Sequence, residues 1–146
     1  MAGLLLHLAG FPEAVRSGRL TAQMRQLDAD KALYVVRYHG HLMTAQERLA
    51  HRHLTGTANL THGRTDAAAQ REVENSSHPV ARDLLSRDLE VLRLASEGID
   101  AFMLRTAQRI IDEHGNQIVF NHCPRCGALA KTPKARQCRF CRHDWH

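Results

Sequence analysis

The sequence predicts a mostly α fold, with a helical body over residues 1–115 and a small metal-stapled module over residues 116–146. Three observations lead there. Aromatic residues make up 5% of the chain against 43% hydrophobic residues overall, so a core must come mainly from Leu, Ala, Val, Ile and Met, which suit helix packing better than sandwiches or barrels. Apolar residues recur at three- and four-residue steps through several segments of the body. All four cysteines fall between Cys123 and Cys141 as two CxxC pairs, which indicates a metal rather than disulfides in a chain without an export signal.

The opening MAGLLLHLAGF is apolar but interrupted by His7 and Gly10, and it falls short of the roughly 20 residues a spanning helix needs. It is expected to pack on the body or pair with another subunit, in a cytoplasmic protein that enters no membrane. Arg19 to about Tyr38 places Leu20, Met24, Leu27, Tyr34 and Tyr38 at helical steps, with Lys31 interrupting the stripe. The stretch 32–38 is β-branched and aromatic enough to be a strand instead, and Gly40 ends it in either case. Thr44, with Glu47 three residues on, reads as a capping box opening a second helix. That helix is expected to carry Ala45, Leu49 and His53 on one face and to stop before Gly56.

Residues 55–77, rich in Thr, Asn, Gly and Ser, read as a loop or linker with at most one short helix around Ala67–Val73. Ser77 can cap the next helix, with Pro79 in its first turn, where a missing N–H costs nothing. Leu84, Leu85, Leu89 and Leu92 follow at helical spacing. Gly98 breaks the run, and Ile99, Phe102, Met103, Thr106, Ile110 and Ile111 form another amphipathic helix. His114-Gly115 is the expected stop, a cation at the carbonyl end and a glycine for a left-handed cap. These stripes read as core or as a subunit interface, so a homo-oligomer is expected as one arrangement. No internal repeat of useful period is evident.

Beyond Gly115 the pattern changes. Gln117 to Asn121 reads as a short strand leading into Cys123-Pro-Arg-Cys126-Gly127, and Cys138-Arg-Phe-Cys141 begins twelve positions after Cys126. A two-residue gap lets both sulfurs of a pair reach one ion while backbone N–H groups point at them, and two such pairs surround it tetrahedrally. Pro124 stiffens the first turn, and Gly127 permits a positive φ after the second ligand. So short a tail buries too little surface to fold unaided, so metal binding supplies the folding energy. A cage of four protein ligands leaves no position for water, which makes the ion structural rather than catalytic.

On Cys123-Pro-x-Cys126-Gly127 and Cys138-x-x-Cys141, residues 116–146 resemble the zinc-ribbon family of rubredoxin-like knuckles. The resemblance implies a small C-terminal β-hairpin zinc ribbon, with Ala128–Lys131 and Arg136–Gln137 as strands flanking a turn at Thr132-Pro133. It implies one Zn2+ held by Cys123, Cys126, Cys138 and Cys141, with iron as the other occupant such knuckles take. Arg142 departs from the pattern, standing where a glycine often follows the last cysteine. His122 and His143 flank the cage and read as neighbours of the ligands.

The formal charge of +5 is unevenly placed. Basic and acidic residues balance up to Glu113, whereas residues 114–146 hold Arg125, Lys131, Lys134, Arg136, Arg139 and Arg142 against Asp144 alone. Charge confined to one module steers anionic partners. The expected function is a zinc-binding accessory or regulatory protein whose basic ribbon presents those six side chains to nucleic acid. Phe140 and Trp145 then serve as stacking groups or, the reading preferred from sequence, as the ribbon's own small core. The alternative is a protein–protein adaptor or oligomeric structural protein with a purely structural ribbon.

A weaker alternative is an enzyme with a His-rich site at residues 39–66, drawing on His39, His41, His51, His53, His62 and Asp66. Residues two apart on a helix face different ways, however, and Glu47 belongs to no HExxH pattern. There is also no GxSxG, no GxGxxG, no GxxxxGK[ST], and no cysteine outside the cage to act as a nucleophile. The sequence therefore leans away from catalysis.

Overall fold

Asp28 accepts the Lys31 N–H at 2.8 Å, which caps helix α1, Ala29–Tyr38. The computed structural model describes residues 27–146, so the expectations for MAGLLLHLAGF and for residues 19–26 lie outside the described residues. The alternative of a strand over 32–38 is resolved as helix. Ala32, Val35 and Val36 fall on one face and are buried, and that burial outweighs the weak β preference of the valines. A 3-10 turn, Gly40–Leu42, leads to helix α2, Ala45–Leu60.

The capping box forms as expected: Thr44 Oγ1 accepts the Glu47 N–H at 3.1 Å, and Glu47 Oε2 accepts the Thr44 N–H at 2.8 Å. Two other expectations for this helix are corrected. It does not stop before Gly56, because Gly56 and Thr57 are buried within it, and an interior glycine costs only about 1 kcal/mol relative to alanine. Nor do Ala45, Leu49 and His53 make its inner face, since Ala45 and Leu49 are exposed and the core takes Ala50, Leu54 and His53.

Residues 55–77 thus begin inside α2 rather than as a loop, and the short helix expected around Ala67–Val73 is present. They contain the end of α2 and helix α3, Ala67–Glu74, which Asp66 caps through the Ala69 N–H at 2.8 Å. Buried Gln70 donates to the carbonyls of Thr65 and Ala95, which ties this stretch to the core. The buried polar residues there, Thr57, Thr61 and Gln70, bond to backbone carbonyls.

The leucine run divides into α4, Pro79–Leu84, and α5, Leu89–Ala95. Asp88 causes the division by accepting the N–H groups of Glu90 and Val91, which starts a new helix. Leu89 is 82% exposed, and Val91 and Ala95 are the buried positions of α5. Pro79 is itself the first helical residue of α4. Gly98 breaks the chain as expected. Its φ is +86°, and a Cβ there would come within 3.3 Å of the Thr65 carbonyl oxygen.

Helix α6, Ile99–His114, is the axis of the body. Phe102 joins Ala50, Leu54, Val91 and Ala95 in one apolar cluster. Ala107, Ile110 and Ile111 join Ala32, Val35, Val36 and Met43 in another. Between them, Arg109 grips the 6%-exposed Glu47 with two 2.6 Å hydrogen bonds, locking α6 to the start of α2. Gly115 has φ −55° and opens a 3-10 turn, Gly115–Gln117, so the expected left-handed cap is not made.

Ile118 and Phe120 then pack against the second cluster and bring the cysteine module onto the body. Neither the strand expected over 117–121 nor the β-hairpin is present. The pairings beyond α6 are two isolated bridges, His122 with Leu129 and Gln137 with Asp144, so Ala128–Lys131 does not pair with Arg136–Gln137. The Asn121 side chain holds the intervening turn by donating to the Thr132 and Ala135 carbonyls at 3.0 and 2.8 Å. Among the described residues no helix is long and apolar enough to cross a membrane.

Candidate metal centre

The cysteine module is one small unit built twice. In the first copy the Cys123 N–H donates to the Ala128 carbonyl, the Gly127 N–H to Cys123, and the Ala130 N–H to Asn121. In the second, Cys138 donates to His143, Arg142 to Cys138, and Trp145 to Arg136. Every partner is displaced by 15 residues, as are the two bridges, so residues 121–130 and 136–145 share one backbone design. The sequence shows this repeat only in its CxxC pairs, because Gly127 corresponds to Arg142 and Ala130 to Trp145. Both turns nevertheless need a left-handed residue after the second cysteine, at φ +72° for Gly127 and +57° for Arg142.

The two turns bring Cys123, Cys126, Cys138 and Cys141 together with all four Sγ atoms within 4.8 Å of one another. The Cys123–Cys141 and Cys126–Cys138 sulfurs are 3.6 and 3.5 Å apart, well beyond a disulfide bond of about 2.05 Å. Four sulfurs at about 2.3 Å from a tetrahedral ion stand about 3.8 Å apart, so the set fits one metal. Cys123 and Cys138 are buried, whereas Cys126 is exposed, so the cage has a sealed and an open side.

Its electrostatics also call for a cation. The N–H groups of Cys141 and Phe140 aim at Cys138, whose thiol is pulled down to about 6. The Ala128 N–H acts on Cys126 in the same sense, but the thiols of Cys138, Cys141 and Cys123 outweigh it and push Cys126 up to about 12. Four adjacent sulfurs do not all ionise alone, whereas a divalent ion stabilises every thiolate at once. His122 Nδ1 sits 3.2 Å from the Phe120 carbonyl and His143 stacks on Trp145, so both lie beside the cage as neighbours.

The structure joins only part of the basic set. Arg125, Lys131, Lys134, Arg136, Arg139 and Arg142 are all exposed. Lys134 and Arg136 line one open depression with Asn121, Pro133, Ala135 and Trp145. Arg139 lies elsewhere, over the Phe140 ring at 4.6 Å and 4.0 Å from Asp30 of α1. Phe140 is 62% exposed, which corrects its assignment to the module's core. Its backbone N–H donates to Cys138 Sγ at 3.4 Å, which fixes the residue at the rim of the cage.

The His-rich region does not converge on a metal site among the described residues. Among the described residues, the four cysteines are the only group of three or more potential ligands that converge. His53 is wholly buried and its Nδ1 accepts the Ser86 N–H, an internal structural bond. Arg64 pairs with Asp66 and Glu72, and Asp66 serves as the α3 cap.

Two contacts that the sequence does not signal hold the module on the body. Tyr34 and Tyr38 donate their hydroxyls to the Val119 and Lys131 carbonyls at 3.3 and 3.0 Å. No family model, curated protein or solved structure matches this chain.

Proposed function

We propose that this is a zinc-binding accessory or regulatory protein, cytoplasmic, in which one structural Zn2+ folds the C-terminal module and its basic surface contacts nucleic acid. A closed set of four thiolates suits zinc, which accepts tetrahedral sulfur without demanding a redox partner. The observation that carries the nucleic-acid reading is the state of the module's cations. Residues 114–146 hold six cations against the single carboxylate side chain of Asp144, and among the described residues Arg125, Lys131, Lys134, Arg136 and Arg142 meet no carboxylate, whereas basic and acidic residues balance over the body. Unneutralised cations on a small rigid unit favour a polyanion.

Elemental analysis of the purified chain is expected to give about one zinc per chain, lost in Cys138→Ser. Iron in its place is recognised by visible thiolate-to-metal absorption. Oligonucleotide binding is then measured against salt. A steep fall with ionic strength supports phosphate contact, whereas salt-insensitive capture of a protein partner favours the adaptor reading.

A further inference from the structure

The two knuckles share a backbone but not surroundings. The outer edge of the first, Leu129 to Lys131, lies beside Tyr34 and Tyr38 of α1, and Ala130 is only 4% exposed. The equivalent edge of the second is Asp144 to His146, with Trp145 in the place of Ala130. Trp145 lines the open depression with Lys134 and Arg136, and no described residue of the body lines it.

Trp145 is held ready for a flat partner. Its backbone N–H donates to the Arg136 carbonyl at 2.8 Å, which pins it beside that cation. The His143 ring stacks on it at 6.3 Å with an interplanar angle of 26°, which limits its rotation. The exposed Phe140 is in a different electrostatic setting, because Asp28 and Asp30 line the hollow that contains it and Arg139. Among the described residues no carboxylate lines the Trp145 depression, and the neighbouring Asp144 carboxylate faces the His146 ring at 2.9 Å.

An indole that shares a depression with two cations matches a base and its flanking phosphates. It matches single strands, whose bases are free to stack, because a duplex keeps its bases paired and is read by an element inserted in a groove. The module has only turns and isolated bridges there. Resting on the nucleic-acid reading above, we infer that the Trp145–Lys134–Arg136 face is a single-stranded nucleic-acid site, with one base on the indole and its phosphates on Lys134 and Arg136.

Trp145 is the chain's single tryptophan, so its emission reports on this face alone. The experiment titrates the full-length, metal-loaded chain with a single-stranded oligothymidylate and with a hairpin duplex, following both emission and bound fraction. The expected result is quenching by the single strand, tighter binding of it than of the duplex, and affinity falling with salt at about 0.7 log units per log salt for each phosphate engaged. Trp145→Ala should weaken binding by about tenfold, Trp145→Phe should recover most of it, and Lys134→Glu with Arg136→Glu should flatten the salt slope. Metal content equal to that of the unsubstituted chain verifies that each variant is folded.

Salt-dependent binding of the single strand with unchanged emission and full affinity in Trp145→Ala overturns this site and leaves the nucleic-acid reading standing. Preference for the duplex does the same. Binding of neither oligonucleotide, or equal quenching by an acidic polypeptide, overturns both.

Discussion

The first and second knuckles make the same hydrogen bonds and differ in what their outer edges meet. Ala130 of the first is sealed against the body, beside Tyr34 and Tyr38, whereas Trp145 of the second is left half-buried among cations. A repeated local design has thus been divided between anchoring and presentation. The ligands and turn geometry belong to each copy, but its role depends on which side of the cage rests on α1.

The largest expected effect removes what the copies share. Cys138→Ser, or chelation of the metal, should release the ion and abolish the ordered environment of Trp145, while far-ultraviolet circular dichroism retains the helical signal of the body. Loss of the helices together with the metal would show that the two apolar clusters do not stand without the module.

The next pair tests the backbone against the side chain. Gly127→Ala should destabilise the metal-bound module by about 1–2 kcal/mol, because an open surrounding leaves the left-handed φ as its whole penalty. Arg142→Gly should act in the opposite sense by up to about 1 kcal/mol, reduced by the added freedom of glycine in the unfolded chain. Competition with a calibrated chelator measures both. Equal effects of the same sign would break the equivalence of the two turns.

Anchoring is tested at the hydroxyls. Tyr38→Phe removes the bond to the Lys131 carbonyl and should cost about 1 kcal/mol in thermal or denaturant unfolding. Trp145→Ala, on the open edge of the second knuckle, should change stability by less than about 0.5 kcal/mol. A larger cost at Trp145 than at Tyr38 would reverse the division of roles.

Acid distinguishes the body from the module. Burial lowers the pKa of His53, as it does those of His39 and His51. The unfolded chain therefore binds these protons first, and body stability should fall as pH drops below the ordinary histidine value of about 6.5. Gln70 and Glu74 lie close enough to His53 to oppose its shift, but burial prevails. In His53→Gln, which retains an acceptor for the Ser86 N–H, helix stability should fall less over that window. A pH profile identical to that of the original chain would assign the acid sensitivity elsewhere.

Legibility varied with the range of the forces involved. The Thr44–Glu47 capping box, the Gly98 break and the helix over 99–114 were readable because each rests on neighbours a few residues apart. The short helix around Ala67–Val73 was readable as well, whereas the sequence misled at Gly56, where polar and flexible residues up to Leu60 are kept in helix α2 by burial. The leucine stripe failed because one carboxylate, Asp88, starts a new helix within it.

By itself the sequence determined the mostly helical body, the cysteine ligand set and the concentration of cations in the module, because periodicity, CxxC spacing and charge are properties of the chain. The tertiary structure alone decided that no hairpin joins the knuckles, that Phe140 stays outside a core, and that the 15-residue design is used in two ways. The physical reason is that local turns specify where the sulfurs converge, while contacts between residues 80 or more positions apart, such as Tyr34 with Val119, decide which surface is buried and which is left for a partner.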